Sequence, residues 1–260
     1  MSTLRSLIAL IFGTLTLGPL VLLAQLFGVK PKRDGIFYKA PRWWARGLVR
    51  GAGIETILHH SERINGNTSQ VYVANHVSWF DTPILMNILP NFGFVAKREL
   101  EKIPLFGSAA KAIGTIYIDR INHQAAFGAY EDAARRMQGG ESVAVYVEGT
   151  RGESYALRPF KKGPFVLAIQ AGVPVVPVVL YGTIAINPRG SLRSHAGVVH
   201  VHFLEPIPTV GLTYDDRDEL ANRARLRMAD TLRDIYGVNP ALNNVSNAPT
   251  SKLNTAHVST

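Results

Sequence analysis

The 260-residue sequence contains no cysteine. This absence excludes disulfide bonds, thiolate-bound metals and a cysteine nucleophile. The sequence also lacks the G-x-S-x-G turn of serine hydrolases and the G-x-x-x-x-G-K-[ST] loop of nucleotide-triphosphate enzymes. Acidic residues are few, because 19 Asp and Glu stand against 28 Lys and Arg and give a formal net charge of +9. Such an excess indicates an anionic partner: a nucleic acid, a membrane surface or a phosphorylated substrate.

Charged residues are also absent from a long N-terminal run, residues 6–29, which read SLIALIFGTLTLGPLVLLAQLFGV. About 20 apolar residues suffice to cross a bilayer. Gly18-Pro19 interrupts the run, so a kinked or half-inserted helix suits the pattern as well as a simple span. A signal peptide is disfavoured because no A-x-A-like cleavage site precedes Lys30.

The segment that follows, KPKRDGIFYKAPRWWARGLVR, mixes Lys and Arg with Phe, Tyr and Trp. Indoles prefer the headgroup zone of a bilayer, and clustered cations favour anionic lipids. The same mixture suits single-stranded nucleic acid, but its position beside an apolar run favours the membrane. By the positive-inside rule, this flank and the domain after it lie on the cytoplasmic side.

From about residue 58, apolar strands alternate with amphipathic helices. Helices are expected at 80–88, 106–112, 122–138, 162–171 and 217–236. The alternation predicts an α/β fold with a mostly parallel mixed sheet flanked by helices. We therefore divide the chain into a membrane-anchoring segment at 1–57, an α/β domain at 58–238 and a disordered polar tail at 239–260. The predicted strands, rich in Val, Ile and Tyr, are 71–75, 92–96, 115–118, 142–147, 173–182 and 198–204.

Polar residues directly follow three of these strands. His76 follows the first strand, Arg120 the third, and the EGTR turn (148–151) the fourth. Because ligands bind at the carboxyl ends of parallel strands, these residues are expected to form one site.

His76 and Asp81 lie five positions apart in VYVANHVSWFD. On a regular helix they would point about 140° apart, so they can meet only if His76 sits in the turn before the helix. Ser78 is then a candidate N-cap for a helix that begins near Trp79. In that arrangement Asp81 accepts from Nδ1–H of His76 and leaves Nε2 as a general base. A capping Asp beside a hydrogen-bonded His is an equally compatible reading.

The EGTR turn carries groups that suit a phosphate. Gly149 allows close approach of the backbone, Thr150 supplies a hydroxyl and Arg151 presents a planar fork of donors. Glu148 is a candidate partner for a nearby cation or amide. An ordinary surface salt bridge explains the tetrapeptide equally well.

The remaining histidines suggest no further chemistry. His200 and His202 alternate on one strand, but no third ligand is in view, so no metal site is predicted. His59 and His60 are assigned to an exposed linker.

In combination these segments resemble the bacterial 1-acylglycerol-3-phosphate (lysophosphatidic acid) acyltransferases, within the glycerolipid acyltransferase family. Four blocks occur in the family's order over roughly residues 35–210: NHVSWFD (75–81), GTIYIDR (114–120) preceded by KRELEKIPLFG (97–107), YVEGTR (146–151) and VPVVPV (173–178). The third block departs from the family's usual Phe-Pro before Glu, since Tyr146-Val147 stand there, and Gly152 replaces a common serine. These departures change the stiffness of the turn more than its chemistry.

The resemblance implies transfer of a fatty acyl group from acyl-CoA or acyl-ACP to the sn-2 hydroxyl of 1-acylglycerol-3-phosphate, which gives phosphatidic acid. It implies that His76 is the base and Asp81 its orienting partner, and that residues 58–238 form the acyltransferase domain. It also implies that a two-helix N-terminal element embeds in one leaflet of the inner (plasma) membrane. The substrate-binding residues that it implies are Lys97, Arg120, Glu148, Gly149, Thr150 and Arg151.

The expected partners are lysophosphatidic acid, an acyl thioester donor and anionic membrane lipids, with acyl carrier protein as a further candidate. No cofactor, metal or nucleic acid is expected. The absence of cysteine and of a serine elbow favours direct transfer over an acyl-enzyme. Three alternatives stay open: an acyltransferase for lyso-ornithine lipid, a membrane-bound acyl hydrolase, and a non-enzymatic membrane-binding protein.

Overall fold

A computed structural model describes residues 1–30, 32, 35–119 and 123–239. Arg120, one of the predicted site residues, lies outside the described residues, and so does the predicted polar tail beyond Asn239. In chain order the helices and strands are α1 (Ser2–Leu26), α2 (Ile36–Ala52), β1 (Ile54–His59), β2 (Val71–Ala74), α3 (Asp81–Ile88), β3 (Phe92–Lys97), α4 (Phe106–Ala112), β4 (Ile116–Ile118), α5 (His123–Gln138), β5 (Ser142–Tyr146), α6 (Gly163–Ala171), β6 (Val175–Tyr181), α7 (Thr183–Ile186), β7 (Gly197–Phe203) and α8 (Arg217–Tyr236).

The strands form one sheet in the order β1-β7-β6-β2-β5-β3-β4. Neighbouring strands run parallel, except that β6 and β7 are antiparallel. The predicted α/β fold with a mostly parallel mixed sheet is therefore confirmed.

The sheet is covered on both faces, as strand β2 illustrates. Val71 and Val73 join the core on the side of α6 and α8, whereas Tyr72 and Ala74 join the core that also contains residues of α2 and α3. All four of these side chains are buried. Burial on both faces explains why the strands read as continuous apolar runs instead of alternating ones.

Strand β1 differs from the sequence prediction, which assigns residues 54–57 to the anchor and His59 to a linker. The helical pair ends at Ala52, and residues 54–59 pair in parallel with β7. β1 lies at the edge of the sheet, so Glu55 and Leu58 stay exposed and the apolar run typical of a central strand is missing.

Helix α1 lies against α2 and the domain. Within the described residues it is the one helix long and apolar enough to cross a membrane, and it continues through Pro19. Trp44 Nε1 donates to Thr14 Oγ1 at 3.1 Å, and a Cβ on Gly13 would lie 2.9 Å from Trp44 Cδ1, so glycine permits this close packing. Large apolar side chains on the opposite side of α1 are exposed, among them Leu4, Ile8, Ile11, Phe12 and Leu15.

Part of the basic and aromatic flank serves the fold. Arg42 Nη2 donates to the Leu89 carbonyl at 2.7 Å. Phe37 is buried. Trp43, in contrast, is 49% exposed and stays available to a membrane surface.

Candidate active site

Five neighbouring strands, β6, β2, β5, β3 and β4, run parallel, so their carboxyl ends share one edge of the sheet. His76 follows β2, residues 148–151 follow β5, and Lys97 ends β3. Because adjacent strands lie about 4.8 Å apart, the β2 and β3 ends are separated by roughly 10 Å. The structure thus brings these three predicted positions to one edge, in the order histidine, EGTR turn, lysine.

His76 and Asp81 are in contact. His76 Nδ1 lies 2.8 Å from Asp81 Oδ2, and the same oxygen accepts the backbone N–H groups of Val77 and Ser78, each at 2.8 Å. Asp81 is the first residue of α3 and is buried, so the turn that carries His76 folds back over the helix start as predicted. Three donors on one oxygen suit an ionised carboxylate.

The contact with Asp81 determines which nitrogen of His76 is reactive. When Nδ1 carries the proton and donates it to Asp81, Nε2 keeps its lone pair and can accept a proton. The His76 side chain is 16% exposed, so it remains accessible from the sheet edge.

The prediction that Ser78 caps helix α3 is wrong. Helix α3 begins at Asp81, two residues after Trp79, and its N-cap position is Phe80. The Ser78 hydroxyl donates to the Asn187 carbonyl at 2.8 Å and accepts from Phe80 N at 3.3 Å. Because the Ser78 hydroxyl both donates and accepts a hydrogen bond within the fold, it is not available as a nucleophile.

Asn75 supports the histidine, although the sequence prediction assigns it no role. Its Oδ1 accepts from Leu180 N at 2.8 Å, and its Nδ2 donates to the Leu180 carbonyl at 3.0 Å. The side chain is fully buried and joins the end of β2 to β6. A polar residue directly after an apolar strand is the sequence signal that marks this position.

Glu148 is a buried support for the site instead of a group open to substrate. Its Oε1 accepts from His76 N at 3.3 Å, and its Oε2 accepts from Arg158 N at 3.1 Å and Arg158 Nε at 3.3 Å. Burial raises the pKa of Glu148, and the hydrogen bonds from Arg158 and His76 oppose that rise. Arg158, ten residues downstream in an irregular segment, has no motif that would reveal this role.

The turn at 149–151 presents backbone and charge to the edge. Gly149 has φ +79°, a conformation that favours glycine, and its N–H donates to the Tyr146 carbonyl at 3.0 Å. Thr150 is exposed and Arg151 is half-buried. Across the described ranges, no hydrogen bond or ion pair engages the Arg151 guanidinium or the exposed Lys97 ammonium, so both cations are available to an anion.

A ring stack lies behind His76. The imidazole lies on the ring of Tyr146 with 3.9 Å between centroids and 12° between planes, and the ring of Phe94 lies nearly parallel to that of Tyr146 with 5.9 Å between centroids. Phe94 also lines a shallow hollow between α2, α3 and β3. Its wall is mainly apolar and includes Tyr38, Pro41, Met86, Leu89, Phe92 and Phe94.

A second histidine cluster lies on β1 and β7, and it corrects the assignment of His59 to a linker. His59 Nε2 lies 3.0 Å from His200 Nδ1, and His202 Nε2 lies 2.6 Å from the Tyr236 hydroxyl. In the part of the chain that the structure describes, no three His, Asp or Glu side chains are placed to hold a metal ion.

Comparison with known proteins agrees with this geometry. A sequence model of the family described as Acyltransferase matches residues 55–181. The 1-acyl-sn-glycerol-3-phosphate acyltransferase alpha of Homo sapiens is 35% identical over 185 residues, which cover 70% of this chain and 65% of the human protein. An uncharacterised acyltransferase of Schizosaccharomyces pombe is 33% identical over 190 residues, which cover 69% of this chain and 67% of that protein. The alignments thus span about two thirds of these relatives.

The fold also matches a solved structure. The crystal structure of the 1-acyl-sn-glycerophosphate (LPA) acyltransferase of Thermotoga maritima superimposes with a TM-score of 0.72 and 23% sequence identity. The match covers 90% of this chain and 98% of the other. The sheet and its flanking helices therefore have the same architecture in both proteins.

Proposed function

The chain belongs to the acyltransferase family, and from this membership we propose that it transfers a fatty acyl group from an acyl thioester to the sn-2 hydroxyl of 1-acylglycerol-3-phosphate. The product is phosphatidic acid. The observation that carries the proposal is the 2.8 Å contact between His76 and Asp81 at the same sheet edge as the free cations of Arg151 and Lys97. A base and an anion-binding group at one edge suit an acceptor that bears both a hydroxyl and a phosphate.

The reaction proceeds by direct transfer. His76 Nε2 takes the proton of the acceptor hydroxyl as its oxygen forms a bond to the thioester carbonyl carbon, and the carbon–sulfur bond then breaks. The proton passes from His76 to the leaving thiolate, so the base is regenerated. Asp81 holds Nδ1–H throughout and stabilises the transient imidazolium. Direct transfer fits a chain without cysteine in which the nearby Ser78 hydroxyl is engaged in the fold.

The acceptor phosphate is bound by the cations beside the histidine. Arg151 offers a planar fork for two phosphate oxygens, Lys97 adds a point charge, and the Gly149-Thr150 backbone allows close approach. Arg120 is assigned to the same group by its motif.

The enzyme works at a membrane surface. The exposed apolar side of α1 embeds in one leaflet, because α1 packs lengthwise on α2 instead of projecting from the domain. Trp43 and exposed cations such as Lys39 and Arg50 face the anionic headgroups. We place the protein on the cytoplasmic face of the plasma membrane, where it receives acyl groups from coenzyme A or acyl carrier protein.

One assay tests the proposal. Purified full-length protein in detergent micelles is given labelled acyl-CoA or acyl-ACP with 1-acylglycerol-3-phosphate, monoacylglycerol or lyso-ornithine lipid. We expect labelled phosphatidic acid and no product from monoacylglycerol. Equal transfer to lyso-ornithine lipid would shift the assignment to that acceptor. Release of free fatty acid alone would identify a hydrolase.

A further inference from the structure

The ring of Tyr146 lies face to face with the imidazole of His76. The centroids are 3.9 Å apart and the planes differ by 12°. Two neutral rings can stack in this way, as Tyr181 and Tyr236 do at 3.7 Å and 13°. A cation over a ring face is attracted more strongly than a neutral ring, because the face carries the negative end of the ring quadrupole. The attraction between the two rings therefore grows when His76 takes up a proton.

The Tyr146 hydroxyl stays protonated in the site. Burial raises the pKa of this phenol well above its usual value, and the Asp81 charge adds to the rise. Thr82 is near enough to oppose this rise in the pKa. Among the described side chains, however, none forms a hydrogen bond of normal geometry with the Tyr146 hydroxyl. The phenol consequently stays neutral over the physiological range, and its contribution to the site comes from the ring.

The stack and the carboxylate restrain His76 in different ways. Asp81 holds a single atom of the imidazole, Nδ1, at 2.8 Å. Tyr146 holds the plane of the ring, and the Phe94 ring lies nearly parallel to Tyr146, with 5.9 Å between centroids and 18° between planes. Tyr146 ends β5, next to the strand that precedes His76, so the contact is built on two paired strands.

We infer that Tyr146 is a positioning residue that holds the plane of the His76 imidazole and whose ring face stabilises the imidazolium formed during acyl transfer. The catalytic part of this inference rests on the proposed function, whereas the positioning part does not. An aromatic ring at this position is required, and its hydroxyl is not.

Substitutions at Tyr146 separate the ring from the hydroxyl. Tyr146→Phe keeps the ring, and Tyr146→Leu keeps an apolar side chain without a π face. Cation–π attraction of the size seen at partly desolvated sites corresponds to about a tenfold effect. We expect Tyr146→Leu to lower kcat about tenfold with little change in either KM, and Tyr146→Phe to stay within about threefold of wild type. Tyr181→Leu is the matched control, because Tyr181 ends the strand β6 in the same way but does not contact His76.

A second measurement follows the ring itself. Imidazole C–H resonances of His76, identified by their loss in His76→Ala, should be shifted upfield by Tyr146 in the wild type and in Tyr146→Phe. They should move downfield in Tyr146→Leu. Unchanged resonances in Tyr146→Leu would overturn the positioning role. Wild-type kcat in Tyr146→Leu, or equal losses in the Leu and Phe variants, would overturn the role of the ring face. An inactive wild type would contradict the proposed function, and the resonances would still decide the positioning role.

Discussion

Asp81 Oδ2 accepts three hydrogen bonds at 2.8 Å, one from His76 Nδ1 and two from the backbone N–H groups that follow the histidine. One carboxylate oxygen therefore fixes both the side chain of the base and the turn that carries it. The first two predictions depend on this arrangement.

Replacement of His76 should abolish most of the activity. We expect His76→Ala to lower kcat at least 100-fold, the usual scale for loss of a general base, with little change in KM for the acceptor. Steady-state kinetics of labelled acyl transfer provides the measurement. The exposed His195 gives a matched control, and His195→Ala should keep wild-type kcat. Near wild-type turnover in His76→Ala would contradict the base assignment.

Asp81→Asn should disturb the orientation of the base without removing it. An amide in place of the carboxylate loses the negative charge and turns one acceptor into a donor, so the preferred tautomer of His76 is no longer secured. We expect kcat to fall at least tenfold while the circular dichroism spectrum stays native. Asp230→Asn, at an exposed ion pair on α8, should leave kcat unchanged. Unaltered kcat in Asp81→Asn would reduce Asp81 to a structural cap.

Arg151→Ala should weaken binding of the acceptor more than binding of the donor. A charge-assisted hydrogen bond contributes about 1.5–3 kcal/mol, which predicts a KM for 1-acylglycerol-3-phosphate raised roughly 10- to 150-fold. The exposed Arg135, near the C-terminal end of α5, supplies the control Arg135→Ala. An equal rise of both KM values would instead indicate that Arg151 binds the donor or serves the fold.

The outer face of α1 should hold the protein on membranes. We expect the combined changes Ile8→Asn, Phe12→Asn and Leu15→Asn to reduce sedimentation with anionic vesicles, because all three side chains are exposed and apolar. Leu226→Asn, at an exposed apolar side chain on α8, is the matched control and should leave sedimentation unchanged. Wild-type protein should stay bound in high salt, since apolar contacts are not screened. Complete release by salt would show that charge alone holds the protein.

Acid should destabilise the fold through the second histidine cluster. Burial, aided by the charges of His59 and His200, lowers the pKa of His202 to about 4. In the unfolded chain the imidazole of His202 binds a proton near pH 6.5. The free energy of unfolding therefore keeps its full value above pH 6.5 and falls by up to roughly 3 kcal/mol as the pH drops towards 4. Urea unfolding at pH 8 and pH 5 measures the loss. His202→Gln should reduce it, whereas His195→Gln, at an exposed histidine, should not.

Much of the architecture follows from local pattern. The bounds of α4 and α8 agree with the predicted 106–112 and 217–236, because apolar periodicity and glycine stops act within a few residues. The meeting of His76 and Asp81 is also local, since a five-residue turn at a strand end brings them together. The family's four ordered blocks added the chemistry that these residues are proposed to perform.

Contacts between distant segments were decided by the tertiary structure. β1 is a strand because β7 lies beside it, and its own residues carry a weak signal. Glu148 is buried because Arg158 reaches it from ten residues away. Tyr146 lies on His76 because β5 pairs with β2. A sequence pattern reports which side chains one element presents, whereas burial, ion pairing and ring stacking depend on a second element whose position is set by the packing of the whole sheet.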